Sequence, residues 1–156
     1  MPNIKLARID NRLVHGQVGN QWTGASGANL IVVADDECAQ DPIMKQVMTM
    51  TADAAGVGIR FFTVQKTIDV ISKASPKQLI FLVCKNPQAM RKLIDGGVPI
   101  KAVNVGNMHS APGKVTYKEA HVYVDDQDLE DFEAMKQKEW MYIFKLLQET
   151  NVLIFN

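Results

Sequence analysis

The segment Arg8-Ile9-Asp10-Asn11-Arg12-Leu13-Val14-His15-Gly16 gathers more reactive groups than any other part of this 156-residue chain. Two guanidiniums, a carboxylate and an imidazole stand where a short apolar stretch gives way to glycine. An imidazole on a loop is a nucleophile near neutral pH. Arginines beside it can hold a dianion such as a phosphoryl group in bidentate fashion. Gly16 lets backbone N–H groups approach an anion, the more so if a helix begins there. The chemistry this spacing suggests is transient phosphorylation of His15. Arg12, three residues before the histidine, reads as a cation for the phosphate. Asp10 reads equally as an orienting group for an arginine or the imidazole and as a turn cap. Arg8 is the weaker candidate, because alternation with Asp10 also suits an outward ion pair.

Other polar groups have plainer readings. His109, in the glycine-flanked loop from Gly106 to Gly113, reads as an exposed residue with partner contact as its functional alternative. His121, beside Val122-Tyr123-Val124, reads as a surface strand residue. In Asp35-Asp36-Glu37 one residue is expected to cap the next helix while the others face water. Met44, Met48 and Met50 read as helical core or its margins, and Trp22 as packing. Cys38 and Cys84 are too few and too widely spaced for a metal cluster or disulfide framework, and Cys84 sits in the apolar run Leu79-Ile80-Phe81-Leu82-Val83-Cys84. The chain contains no phosphate-binding G-x-x-x-x-G-K-[ST] loop, no G-x-G-x-x-G after its first strand and no metal-ligand spacing. No cofactor and no metal are therefore expected.

Positioning these groups requires a scaffold, and the hydropathy pattern supplies one. Strands are expected at Ile4–Ile9, Leu30–Ala34, Ile59–Val64, Leu79–Cys84 and Ala102–Gly106. Helical spacing fills Gln17–Ala25, Pro42–Ala54, Gln65–Lys73 and Pro87–Ile94. Asp41-Pro42 and Asn86-Pro87 each place a capping residue before a first-turn proline, and Gly96-Gly97 is a stop signal. Continuous apolar strands joined by crossovers predict a single doubly wound α/β domain, with a mostly parallel central sheet and helices on both faces. Ligands of such folds bind at the carboxyl ends of the strands. Asp10, Arg12, His15, Asp35, Asp36, Glu37, Lys85, Asn86, Asn107, Met108 and His109 all fall on that rim. Seventeen basic and seventeen acidic side chains balance, which argues against nucleic acid as a partner. The absence of an apolar membrane span or leader segment points to a cytoplasmic protein.

The motif Arg8-Ile9-Asp10-x-Arg12-Leu13-x-His15-Gly16-Gln17-Val18, followed by Trp22, resembles the signature of IIB components of the mannose-type (mannose–fructose–sorbose) sugar phosphotransferase system. Ile31-Val32-Val33-Ala34-Asp35-Asp36, Asp41-Pro42, Gly97-Val98-Pro99 and Asn104-Val105-Gly106-Asn107-Met108-His109 add to the likeness, which runs from residue 3 to about 138. The last of these strings is similar to the N-acetylgalactosamine branch. The resemblance implies a relay in which a phosphorylated IIA protein, charged from phosphoenolpyruvate through HPr, passes its phosphoryl group to Nδ1 of His15. His15 then passes it to a sugar held by the membrane components IIC and IID, so the subunit would sit peripherally at the transporter. It also implies that Arg12, Asp10 and Arg8 belong to the active-site loop, with backbone N–H groups near Gly16 and Gln17 completing the phosphate cradle.

From about residue 139 the chain departs from the family pattern. One allowed set of codons from Lys138 onward, with a single G restored after Lys138, translates as Gly-Met-Asp-Val-Tyr-Ile-Gln-Ala-Val-Ala-Arg-Asp, which looks like the expected family strand. A frameshifted tail is the expectation, with a last strand that pairs differently or poorly. Two functional alternatives to the carrier stand beside it. One is a phosphohydrolase resembling histidine phosphatases, which place arginine immediately before the histidine where this chain has Val14. The other is a catalytically silent regulatory module.

Overall fold

The computed structural model describes residues 2–16, 26–117, 119–136, 145–147 and 150–154. In chain order these form β1 (Asn3–Asp10), β2 (Leu30–Ala34), α1 (Pro42–Ala54), β3 (Gly58–Phe62), α2 (Val64–Val70), β4 (Leu79–Cys84), α3 (Pro87–Asp95) and β5 (Ala102–Asn107). There follow β6 (Val115–Tyr117), β7 (Glu119–Val124), α4 (Asp126–Lys136), β8 (Lys145–Leu147) and β9 (Thr150–Ile154). Short 3-10 turns lie at Cys38–Gln40 and Ile71–Lys73.

The main sheet runs β3-β2-β4-β1-β5-β9-β8, and β6 and β7 form a separate hairpin. The first five strands of that order are mutually parallel, whereas β9 is antiparallel to β5 and β8 to β9. The doubly wound expectation holds, with an antiparallel edge added. All five residues of β2 are buried, as expected of a strand covered on both faces. One apolar cluster joins Ile9, Leu82 and Val103 to Met90, Leu93, Phe132 and Met135, from α3 and α4. The other joins Ile31, Val33, Phe81 and Val83 to Met48 and Ala52 of α1 and to Leu13 and Val14 after β1. Thus the chain leaves β1 on one face and leaves the adjacent β4 on the other, opening a crevice at their carboxyl ends.

Local chemistry explains the element boundaries. Asp41 accepts from the backbone N–H groups of Ile43 and Met44, and Pro42 occupies the first turn of α1. Asn86 Oδ1 accepts from Ala89 N at 2.9 Å ahead of Pro87. Past α3, Gly97 takes a φ of +93°, while its own N–H reaches Ile94 O and that of Val98 reaches Leu93 O. That paired bonding is a Schellman stop, and it needs the left-handed residue. The expected strand Ile59–Val64 ends earlier because the Thr63 hydroxyl accepts from Lys66 N at 3.0 Å and caps α2, which makes Val64 helical.

Three expectations need comment. Met48 is buried, but Met50 is 66% exposed with Ile43 and Val47 on the outer side of α1; two residues along a helix is about 200° of rotation, so it cannot share the face of Met48. β7 carries the exposed strand residue expected at His121, but its hairpin partner β6 was not among the expected strands, since Val115-Thr116-Tyr117 is short and carries no alternation long enough to read. The expected helix Gln17–Ala25, and with it Trp22, lies outside the described residues. In the tail, β9 pairs with β5 from Ala102↔Ile154 to Val105↔Asn151, and the side-chain surroundings of Leu146 and Leu147 lie outside the described residues.

Candidate functional site

Strand β1 delivers Arg8 and Asp10 to the same side of the sheet, two residues apart. Both are buried, Asp10 completely. Arg8 donates through one terminal nitrogen to Asp10 Oδ2 at 3.1 Å and through the other to Asn104 Oδ1 on β5. Arg8 is therefore an inward group and not the outward ion-pair partner that strand alternation also allowed. Burial pulls its pKa below the usual arginine value, and the Asp10 carboxylate opposes that shift. A charge this deep persists only with such a partner.

After Asp10 the backbone reverses. Leu13 N donates to Asp10 O at 2.8 Å, and Leu13 adopts a φ of +59°, the left-handed region that leucine seldom enters. Asp10 Oδ1 accepts from Arg12 N at 3.0 Å and caps this turn. The cap and the orienting role proposed as alternatives for Asp10 coexist, because each uses a different carboxylate oxygen. Burial of the Leu13 and Val14 side chains anchors the turn from below. Its result is to bring His15 back over Asp10, with Nε2 3.3 Å from Oδ2. The His15 side chain keeps 24% of its surface exposed, enough for a partner to reach it. Gly16 follows at a φ of +47°; Gln17 lies outside the described residues.

The second wall comes from β5. Asn11 N donates to Asn107 O at 3.0 Å, and Asn107 Nδ2 donates to Asn11 Oδ1 at 2.8 Å, so the turn is tied to the end of that strand. Arg12 is exposed, and its guanidinium has no hydrogen-bond or ion-pair partner among the described residues. A buried carboxylate, a half-buried imidazole and an exposed guanidinium thus occupy one loop. An ionised Asp10 facing Nε2 makes that nitrogen the proton carrier and leaves the lone pair on Nδ1. In the neutral form of the ring that lone pair can attack an electrophile, and the exposed Arg12 guanidinium lies in the same loop.

Of the remaining rim candidates, Asp35, Asp36, Glu37, Lys85 and Asn86 make contacts within the scaffold. Asp35 Oδ2 accepts from Cys38 N at 2.9 Å, and Asp36 Oδ1 accepts from Val64 N at 2.8 Å. Lys85 bridges Asp35 at 3.4 Å and Glu37 at 3.2 Å; burial opposes its charge, yet Glu37 and Asp35 together raise its pKa. His109 and His121 are exposed, and Met108 N donates to His121 O at 3.0 Å, tying the end of β5 to β7. Among the described residues no cluster of His, Cys, Asp or Glu is arranged to hold a metal. Neither thiol is a good nucleophile: burial pushes Cys38 up to about 11, and it pushes Cys84, which is fully buried, up as well.

Sequence reasoning named Arg8, Asp10, Arg12 and His15, and the structure brings all four into one loop and strand end. It treated Asn104, Gly106 and Asn107 only as part of a family string or a rim loop. The signal available was Asn104 itself, a lone amide within Ala102-Val103-Asn104-Val105, since a polar side chain in a buried strand needs a partner.

Comparison with known proteins gives a consistent picture. Residues 4–152 match the family described as PTS system sorbose subfamily IIB component. The chain is 58% identical over 137 residues to the N-acetylgalactosamine-specific phosphotransferase enzyme IIB component 1 of Escherichia coli K12, spanning 88% of this chain and 86% of that protein. It is 38% identical over 138 residues to the PTS system mannose-specific EIIAB component of the same strain, spanning 86% of this chain and 42% of that protein. Among solved structures, the PTS system N-acetylgalactosamine-specific IIB component 1 from Escherichia coli matches with a TM-score of 0.85 at 58% identity, covering 87% of this chain and 88% of that one. The IIBSor domain of the sorbose permease from Klebsiella pneumoniae matches with a TM-score of 0.78 at 28% identity, covering 87% and 83%.

Proposed function

The chain belongs to the sorbose-subfamily IIB components of the sugar phosphotransferase system, and on that premise we propose that His15 is its phosphoryl carrier. The observation that carries the reading is the pairing of His15 Nε2 with the buried Asp10 carboxylate, which leaves Nδ1 with the lone pair. A phosphorylated IIA protein is the donor. The Nδ1 lone pair attacks phosphorus, the donor P–N bond breaks, and the donor ring nitrogen keeps that electron pair. The Nε2 proton stays on the ring, shared with Asp10. Arg12, with backbone N–H groups at Gly16 and Gln17, meets the equatorial oxygens of the transferring group. Arg8 balances the buried charge of Asp10. In the second step a sugar hydroxyl attacks phosphorus, the P–N bond returns its electrons to Nδ1, and the hydroxyl proton passes to solvent. No cofactor or metal enters either step.

The relatives support the partners. One of them is named as a joined EIIAB component, of which this chain covers 42%, which favours an IIA protein as donor. Two Escherichia coli relatives named as specific for N-acetylgalactosamine, at 58% and 51% identity, favour that sugar or a related hexose, delivered through IIC and IID. Among the described residues no helix is long and apolar enough to cross a membrane. A cytoplasmic subunit docked on the membrane components fits the relay. The whole chain reads as one IIB domain whose tail beyond about residue 139 is frameshifted. Sequencing the gene across codons 136–145 tests this, and a coding sequence with no shifted homopolymer would end the idea.

The decisive experiment incubates the protein with phosphoenolpyruvate, enzyme I, HPr and IIA and maps acid-labile phosphate by mass spectrometry. Label is expected on His15 and none in His15→Ala. Rapid release of phosphate to water before any transporter is added would instead favour a phosphohydrolase. No uptake at all would favour a silent module.

A further inference from the structure

We propose that Asn104 and Gly106 of β5 are positioning residues for phosphoryl transfer: they seat Arg8 against Asp10, and through Asp10 they hold the His15 ring. The inference rests on His15 being the acceptor and adds residues that never touch the phosphoryl group. In the β1–β5 pairing Arg8 lies opposite Asn104, and Ile9 lies opposite Val105. The next pair is Asp10 with Asn107, so the register steps over Gly106. Such a bulge beside a site re-aims the side chains around it.

Gly106 has no positive φ, so backbone freedom does not explain the glycine. Space does. A Cβ at Gly106 would overlap the guanidinium carbon and nitrogens of Arg8. The guanidinium lies across the place a side chain would fill. Asn104, completely buried, accepts from one guanidinium nitrogen and fixes its plane. The other nitrogen is thereby presented to Asp10 Oδ2, the oxygen that faces His15 Nε2. Each of these contacts is short-ranged and directional, so a rotation of the guanidinium shifts the carboxylate and then the imidazole. Displacements on that scale are costly for transfer, because the reacting atoms must be aligned before the P–N bond can exchange.

Asn104→Ala and Gly106→Ala test this in the full-length protein. Both are expected to slow the maximal rate of His15 phosphorylation by about 10- to 100-fold, the scale of an ångström-level misplacement. The KM for phosphorylated IIA should stay within about twofold, since Asn104 is completely buried and a Cβ at Gly106 would meet the buried Arg8 guanidinium. The proton on His15 Nε2, followed by nuclear magnetic resonance, should exchange with solvent faster than in the parent protein. Asn104→Asp keeps an oxygen acceptor beside Arg8 and should recover the rate to within about threefold of the parent. Folding is checked by cooperative thermal melting, and Asn104→Asp against Asn104→Ala carries the test if Gly106→Ala does not fold. Folded variants with the parent rate and an unchanged Nε2 proton would overturn the proposal, as would a rate for Asn104→Asp no better than for Asn104→Ala. A parent protein that takes no label on His15 would instead overturn the acceptor assignment.

Discussion

Asp10 Oδ2 stands 3.3 Å from His15 Nε2 and 3.1 Å from an Arg8 terminal nitrogen, so one buried oxygen serves the imidazole and the guanidinium together. The sharing matters for both stability and chemistry. Arg8 balances the buried charge of Asp10 while the same oxygen keeps its contact with the imidazole.

Asp10→Asn should keep the shape and lose the charge. The maximal rate of His15 phosphorylation is expected to fall by about 100-fold or more, on the scale seen when the orienting carboxylate of a catalytic histidine is neutralised. Asp10→Ala should also cost about 3–5 kcal/mol in urea unfolding, because it strands a buried guanidinium. Wild-type rates in Asp10→Asn would remove Asp10 from the mechanism.

Arg12 should behave in the opposite way. Its side chain is exposed and unpaired among the described residues, so Arg12→Ala should leave unfolding within about 0.5 kcal/mol of the parent. Phosphoryl transfer should nonetheless slow by about 100-fold if Arg12 is, as proposed, the cation that meets the transferring oxygens. Arg12→Lys should recover only part of that, because an ammonium lacks the planar fork. A rate unchanged in Arg12→Ala would leave the loop without its phosphate contact.

The two thiols should be bystanders. With Cys38 raised to about 11 and Cys84 raised by complete burial, fewer than about one molecule in a thousand carries a thiolate at pH 7.5. Iodoacetamide should therefore label the folded protein only slowly, and Cys38→Ala should still take phosphate on His15. Phosphate found on either sulfur by mass spectrometry would contradict this.

How much of this was readable beforehand depends on whether the signal is local. Asp41-Pro42 and Asn86-Pro87 fixed two helix starts because capping is settled within four residues. Arg8, Asp10, Arg12 and His15 are close in sequence, so their grouping could be seen on the chain. Asn104 reaches the same site from 96 residues beyond Arg8, with Gly106 two positions later, and only the parallel β1–β5 pairing makes them neighbours. The exposure of Met50 was missed because apolar identity was read without its angle on the helix. β6 was missed because three residues carry no period.

Asp131 provides a test of the scaffold behind the site. It is almost wholly buried on α4, and accepts from Arg91 at 2.8 Å and Gln88 at 2.7 Å, both on α3, and from Gln127 at 3.2 Å. Burial alone would raise its pKa, but the hydrogen bonds from Arg91, Gln88 and Gln127 outweigh it and the net shift is downward. A carboxyl group whose pKa is lower folded than unfolded binds fewer protons in the native state. Its stabilisation is therefore complete above the unfolded value of about 3.9 and is lost as pH falls through the lower folded value. Asp131→Asn should lower the unfolding free energy near pH 7 by about 1–2 kcal/mol, toward the smaller figure because the Arg91 side chain is 36% exposed. The gap between the parent and this variant should stay constant from pH 7 to about pH 5 and close below about pH 4. Urea titrations at a series of pH values measure that gap directly. A gap that widened on acidification would mean that Asp131 is harder to ionise in the folded protein than in the unfolded chain, and that its three donors do not compensate for its burial between α3 and α4.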